Sequence, residues 1–150
     1  MDKRGLLVVL SGPAGSGKTT LAERLVACTP GVVRSITATT RTPRANEVDG
    51  RDYHFLSRPE FARRLAAGDF LEHAEFNGNL YGSLRSAVEK QRTAHATVLL
   101  VIDVQGGESL RRACPDAGRV FVLPPTPESL RERLRQRGTE DPADMERRLT

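Results

Sequence analysis

A chain of 150 residues with 38% hydrophobic and 28% charged residues has the size and composition of one folded domain, and excludes a disordered or low-complexity protein. Its longest apolar runs, Leu6 to Leu10 and Val98 to Ile102, are far shorter than the ~20 residues of a membrane span, and Met1-Asp2-Lys3-Arg4 leads into a strand-like run and not a signal peptide. The net charge of +4 comes without any basic stretch interleaved with aromatics, which points to small phosphate-bearing ligands and away from nucleic acid. The expectation is a cytoplasmic protein, monomer or homodimer, with no membrane or nucleic-acid partner. Cys28 and Cys114 have no metal or redox spacing, and His54, His73 and His95 are scattered, so two free thiols and no zinc site are expected.

Leu6 to Leu10 is a continuous apolar run of strand length, as in a parallel sheet buried on both faces. Lys18 to Ala27 reads as a helix with Leu21, Leu25 and Val26 on one face. Residues from about 35 to 83 are rich in Thr, Arg, Asn, Asp and Gly and read as a subdomain inserted into the core. One helix is predicted there, opened by Ser57-Arg-Pro59-Glu60 and carrying Phe61 and Leu65 one turn apart. Further strands are predicted over Thr97 to Asp103 and Arg119 to Leu123, with a short helix over Glu108 to Cys114 between them. Thr126 as N-cap and Pro127 at the first helical position open a last helix, which Gly138 closes. Strands alternating with helices predict an α/β protein with a parallel sheet.

Between the first strand and the first helix lies Gly12-Pro13-Ala14-Gly15-Ser16-Gly17-Lys18-Thr19-Thr20, a full G-x-x-x-x-G-K-[ST] phosphate loop in the right context. Glycines let successive backbone N–H groups converge on phosphate oxygens, and the helix start favours the same negative charge. Lys18 reaches the β- and γ-phosphates and the Thr19 hydroxyl can ligate Mg²⁺, so ATP and Mg²⁺ are the expected cofactors. A glycine-rich turn without function is the bland alternative. A dinucleotide fold is weaker, because Gly15-x-Gly17-x-x-Thr20 lacks the third glycine.

The middle of the chain carries further blocks: Thr37-Ala-Thr39-Thr40-Arg41-Thr-Pro43-Arg44, Glu47-Val-Asp-Gly50-Arg-Asp-Tyr53-His-Phe55, Gly68-Asp-Phe70-Leu-Glu72-His-Ala-Glu75-Phe76 and Gly78-Asn-Leu-Tyr81-Gly82-Ser83. Ile102-Asp103-Val-Gln105-Gly106, Arg133 to Glu140 and Arg148-Leu149 follow. In this order and over essentially the whole chain, the pattern resembles the guanylate kinase family. The resemblance implies a P-loop three-layer core over about 1–34 and 84–136, a GMP-binding insert over about 35–83, and a lid over about 137–150. It implies ATP-dependent phosphorylation of GMP, with dGMP as a further acceptor.

By resemblance, Arg41, Arg44, Tyr53 and Tyr81 hold the GMP phosphate, while Glu72 and Ser83, assisted by Thr37, read the guanine edge. Lys18, Arg44, Arg137 and Arg148 surround the phosphoryl group in flight, and Asp103 lies near the metal or the acceptor. Physical chemistry agrees with these residue types. Arginine's planar fork suits a phosphate dianion, and a carboxylate can accept both the N1–H and N2–H₂ donors of guanine. Arg133 falls on the last predicted helix, where a solvated face is the competing reading.

The sequence also departs from the family pattern. Ala14 and Thr37 stand where serine is usual, and Val101 stands where a second acid is usual. Relatives continue past Thr150 with a helix, a strand and a final helix, part of which contacts adenine, so a chain lacking that segment is expected. A protein-binding module without activity and a kinase of a phosphorylated ribose are the alternative functions. Intact Lys18, Thr19 and Arg44 oppose the first, and Glu72 with Ser83 opposes the second.

Overall fold

The computed structural model describes residues 4–137, apart from the side chain of Arg137. In chain order the elements are β1 (Leu6–Ser11), α1 (Lys18–Cys28), β2 (Val32–Ser35), β3 (Ala38–Thr39), β4 (His54–Phe55), α2 (Arg58–Ala66) and β5 (Phe70–Phe76). They continue with β6 (Asn79–Leu84), α3 (Arg85–Ala94), β7 (Thr97–Val101), α4 (Val104–Ala113), β8 (Gly118–Phe121) and α5 (Pro127–Arg137). They form two four-stranded sheets. The first is parallel, in the order β2-β7-β1-β8, and the second is mixed, in the order β4-β3-β6-β5.

The predicted parallel α/β core is present, and its central strands are the two apolar runs. Leu7, Val9 and Leu10 of β1 and Val98, Leu99 and Leu100 of β7 are all buried, as strands with helices on both faces must be. From β1 the chain passes through α1 to β2 at one edge, whereas from β7 it passes through α4 to β8 at the other. The order therefore reverses around β1 and β7, and a crevice opens beyond their carboxyl ends, where α/β sheets bind ligands.

Several boundaries and faces differ from expectation, and the strand expected over Arg119 to Leu123 runs Gly118–Phe121. The strand expected to run to Asp103 ends at Val101, and the helix expected from Glu108 starts at Val104. The cause is Asp103, whose carboxylate caps α4 by accepting from the Gly106 N–H at 2.7 Å. On α1 the buried residue is Ala22, while Leu21 and Val26 are exposed. Ala22 and half-buried Leu25 form the inner stripe, packed against Leu10 and Leu99.

In the second sheet, α2 starts as predicted, with the Ser57 hydroxyl accepting from Glu60 N at 3.2 Å. Phe61 on α2 is wholly buried and stacks on Phe70 at 4.4 Å between ring centroids, while Leu65 is exposed. This pair anchors a small core with Ala38 and Leu84. Phe61→Ala is expected to destabilise the protein by about 3–5 kcal/mol, measured by denaturant unfolding. A loss under about 1 kcal/mol would mean that this core contributes little to the cooperative fold. For α5, Thr126 caps as expected, its hydroxyl accepting from Ser129 N at 3.0 Å. Gly138 lies outside the described residues. Both cysteines are free thiols, and no helix among the described residues is long and apolar enough to cross a membrane.

Candidate functional site

A cavity of about 540 Å³ occupies the crevice beyond β1 and β7, with the phosphate loop on one side and the second sheet on the other. The loop's shape follows from its glycines. Gly15 and Gly17 have φ of 79° and 99°, a left-handed geometry that residues with a Cβ adopt at a cost. Gly17 is also the N-cap of α1, with no side chain bonded to the helix start and no acid in its first turn. The first N–H groups of α1 are thus left for an anionic ligand.

Gly12, Pro13, Ala14, Gly15, Gly17, Lys18 and Thr19 all line the cavity. The Lys18 ammonium donates to the carbonyls of Gly12 and, at 3.3 Å, Pro13, which folds it back over the loop. Ser16 is buried, with its hydroxyl lacking a hydrogen-bond partner, and Thr20 is exposed; neither forms part of the wall. Arg133 of α5, doubtful from sequence, reaches the loop and donates to the Ser16 carbonyl at 3.3 Å.

Thr37, Arg41, Arg44, Tyr53, Glu72 and Tyr81 also line the cavity, Glu72 from β5, Tyr81 from β6 and the others from the loops flanking β3 and β4. Arg41 makes a two-pronged ion pair with Glu47 at 2.8 and 2.9 Å and sits over the Tyr53 ring at 5.3 Å. Tyr53 in turn meets Tyr81 edge-on, with ring centroids 6.4 Å apart. Glu47 also accepts from the Arg44 backbone N–H at 2.9 Å. These contacts hold its carboxyl below the usual range, the Arg41 hydrogen bond first, and keep it ionised. Glu47 carries no role in the sequence reading, since a pair across six loop positions shows no periodicity.

Glu72 is 6% exposed although it is charged. A register irregularity between Phe70 and Glu72 breaks the in-out alternation of β5, so Phe70, Leu71 and Glu72 are all buried. Its Oε1 accepts from the Ser83 hydroxyl at 2.7 Å, across the β5–β6 register that pairs the two residues. Burial pushes the Glu72 carboxyl up to about 7; the Ser83 hydrogen bond opposes this, and the charge of Asp103 adds to it. Ser83 is wholly buried behind Glu72 and is not part of the cavity wall. Asp103 and Val101 do line the cavity, from the end of β7 and the start of α4.

This arrangement has counterparts among known proteins. The family model described as guanylate kinase matches residues 4–150. The guanylate kinase of Symbiobacterium thermophilum is 49% identical over 146 residues, 97% of this chain and 69% of its own. That of Synechococcus sp. is 49% identical over 145 residues, 97% of this chain and 79% of its own. A solved guanylate kinase structure from Anaplasma phagocytophilum superposes with a TM-score of 0.75 at 36% identity, covering 91% of this chain and 69% of that one. The chain belongs to the guanylate kinase family.

As a guanylate kinase family member, the chain brings together the expected phosphate loop, the two acceptor arginines, both tyrosines, Glu72 and Asp103 in one cavity. Arg148 and the side chain of Arg137, expected near the transferred phosphoryl group, lie outside the described residues. Among the described residues no cluster of three or more His, Cys, Asp or Glu could hold a metal ion by itself. The Thr19 and Asp103 oxygens on the same cavity fit a hard cation that takes most of its ligands from nucleotide phosphates and water.

Proposed function

We propose that this chain transfers the γ-phosphoryl group of ATP to the phosphate of GMP, and to that of dGMP, giving ADP and the nucleoside diphosphate. One observation carries the reading: a complete phosphate loop and a buried carboxylate share one cavity. The loop N–H groups and Lys18 take the triphosphate. Arg41, Arg44, Tyr53 and Tyr81 take the acceptor phosphate, and Thr37 and Glu72 meet the guanine edge. Ser83 orients Glu72 through its hydrogen bond. Thr19 and Asp103 would hold Mg²⁺, which would neutralise phosphate charge. Transfer needs reactants in line and shielding of charge on the moving group, which convergent cations supply without covalent chemistry. Arg44 faces both sides of that transfer, with Arg137 and Arg148 as its partners.

The working unit is a core over about 1–34 and 84–136 with an acceptor insert over about 35–83. The protein acts in the cytoplasm, as a monomer or homodimer, with no nucleic-acid or membrane partner. A coupled ADP-release assay across GMP, dGMP, AMP, UMP and ribose bisphosphate tests the reading. GMP and dGMP should exceed the other acceptors by on the order of 10² or more in kcat/KM. Equal use of AMP or ribose bisphosphate would reject guanine as the recognised group.

A further inference from the structure

Gly106 sits in the first turn of α4, a place where glycine costs about 0.5–1 kcal/mol relative to alanine. Its backbone is not in the left-handed region, so conformation does not call for glycine. Space does. A Cβ at Gly106 would lie 2.9 Å from Glu72 Oε2, 3.3 Å from Asp103 Oδ1 and 3.4 Å from Ile102 Cβ. The first of these is closer than a carbon and an oxygen in contact can approach. The other Glu72 oxygen accepts from Ser83, so a carboxylate that gives way to a Cβ turns out of its present position. Gly107 differs, since a Cβ there would meet Ser11 at 3.1 Å and not the acceptor wall.

We infer that Gly106 is a specificity-positioning residue, whose missing side chain sets where the Glu72 carboxylate stands and thus where guanine's donors are met. The inference rests on the reading of Glu72 as the group that recognises guanine. Gly106 also lines the cavity, but a Cβ there would meet Glu72 first, so its effect runs through Glu72. Because the nearest atom belongs to the end of a side chain and not to backbone, the methyl of an alanine displaces the carboxylate before it disturbs the fold. Discrimination falls while stability holds.

The test is a double-mutant cycle with Gly106→Ala and Glu72→Asp, read as kcat/KM for GMP and for AMP and as the KM for ATP. Gly106→Ala is expected to lower the GMP-to-AMP ratio about tenfold or more, with the ATP KM and thermal midpoint near the parent's. In the Glu72→Asp background the carboxylate is one methylene shorter and clears the new methyl. There the same substitution should cost less than about threefold, and that difference is the signature a merely structural glycine lacks. Gly107→Ala, as the comparison, should leave the GMP-to-AMP ratio unchanged.

An equal loss in both backgrounds, or an unchanged ratio in the single variant, overturns the inference. A Glu72→Gln arm separates the two ideas. If it changes the ratio and Gly106→Ala does not, only the role of Gly106 falls. If neither changes it, the reading of Glu72 falls and takes Gly106 with it. Should Gly106→Ala fail to fold, folding of the double variant alone shows that the Cβ strikes Glu72 and supports the inference, while failure of both overturns it.

Discussion

Lys18→Ala should lower kcat by on the order of 10²–10³ while leaving GMP binding close to that of the parent. The ammonium of Lys18 lies over the phosphate loop, held by the Gly12 and Pro13 carbonyls. Negative charge moves onto the β,γ-bridging oxygen as the γ-phosphoryl group leaves, and a cation in the loop is placed to meet it. Because that interaction strengthens along the reaction, its loss should lower kcat more than it raises the KM for ATP. In the proposed reading GMP is held by groups from the second sheet, which the substitution does not touch. Steady-state kinetics together with calorimetric titration of GMP separates the two effects. If GMP affinity fell in step with kcat, the division of the cavity into donor and acceptor walls would be wrong.

Glu72→Gln should weaken use of GMP by roughly 10- to 150-fold in kcat/KM and leave AMP less affected. Guanine offers N1–H and N2–H₂ as neighbouring donors, and the carboxylate can accept both. An amide has one acceptor oxygen, already sought by the Ser83 hydroxyl, and its NH₂ would face a donor of the base. Adenine presents an acceptor at N1 and gains from the same exchange. Retention of the parent's GMP-to-AMP ratio within about threefold would remove Glu72 as the base reader.

Charge state gives an independent handle on Glu72. Its carboxyl is pushed from the ordinary 4.5 up to about 7, chiefly by burial, whereas guanine's donors favour the ionised form. GMP binding therefore releases a proton, and kcat/KM for GMP should drop about tenfold per pH unit below 7. The Gln variant should lack this slope. For folding the sign is opposite to that of a salt-bridged acid. Protonated Glu72 contributes stability in full below about 4.5, and the contribution is lost as pH rises through about 7, amounting to about 3 kcal/mol at most. The Gln variant should thus gain on the parent in unfolding free energy as pH climbs from 4.5 to 7; a constant difference would place the carboxylate in a wetter setting than its burial implies.

The parts legible in the sequence were those encoded by neighbours along the chain. The phosphate loop, the strands around Val9 and Leu99, and the caps at Ser57 and Thr126 each depend on a few consecutive residues. The start of α4 was hidden because Gly106-Gly107 reads as a helix breaker, although Asp103 caps it. Their reason to be glycine lies across the fold, at Glu72 and Ser11. The β5–β6 hairpin has a local signal of its own, the Asn77-Gly78 turn with φ of 55° and 78°. Pairing of Glu72 with Ser83 could not be read that way, since the irregularity in β5 shifts the register on which it depends. The α1 stripe misled for a simpler reason. Leu21 and Val26 are more apolar than Ala22, but it is Ala22 that packs against Leu10 and Leu99 of the sheet.

The paired glycines of α4 make one helix start a common support for both reactants. Gly106 rests against the carboxylate that meets the base, and Gly107 backs onto Ser11, the residue leading into the phosphate loop. In the proposed reading, guanine that pulls on Glu72 pulls on a body abutting the loop for the triphosphate, within one helical turn. Thermodynamic reciprocity then fixes one relation: by whatever factor GMP changes the affinity for ATP through this helix start, ATP changes the affinity for GMP by the same factor.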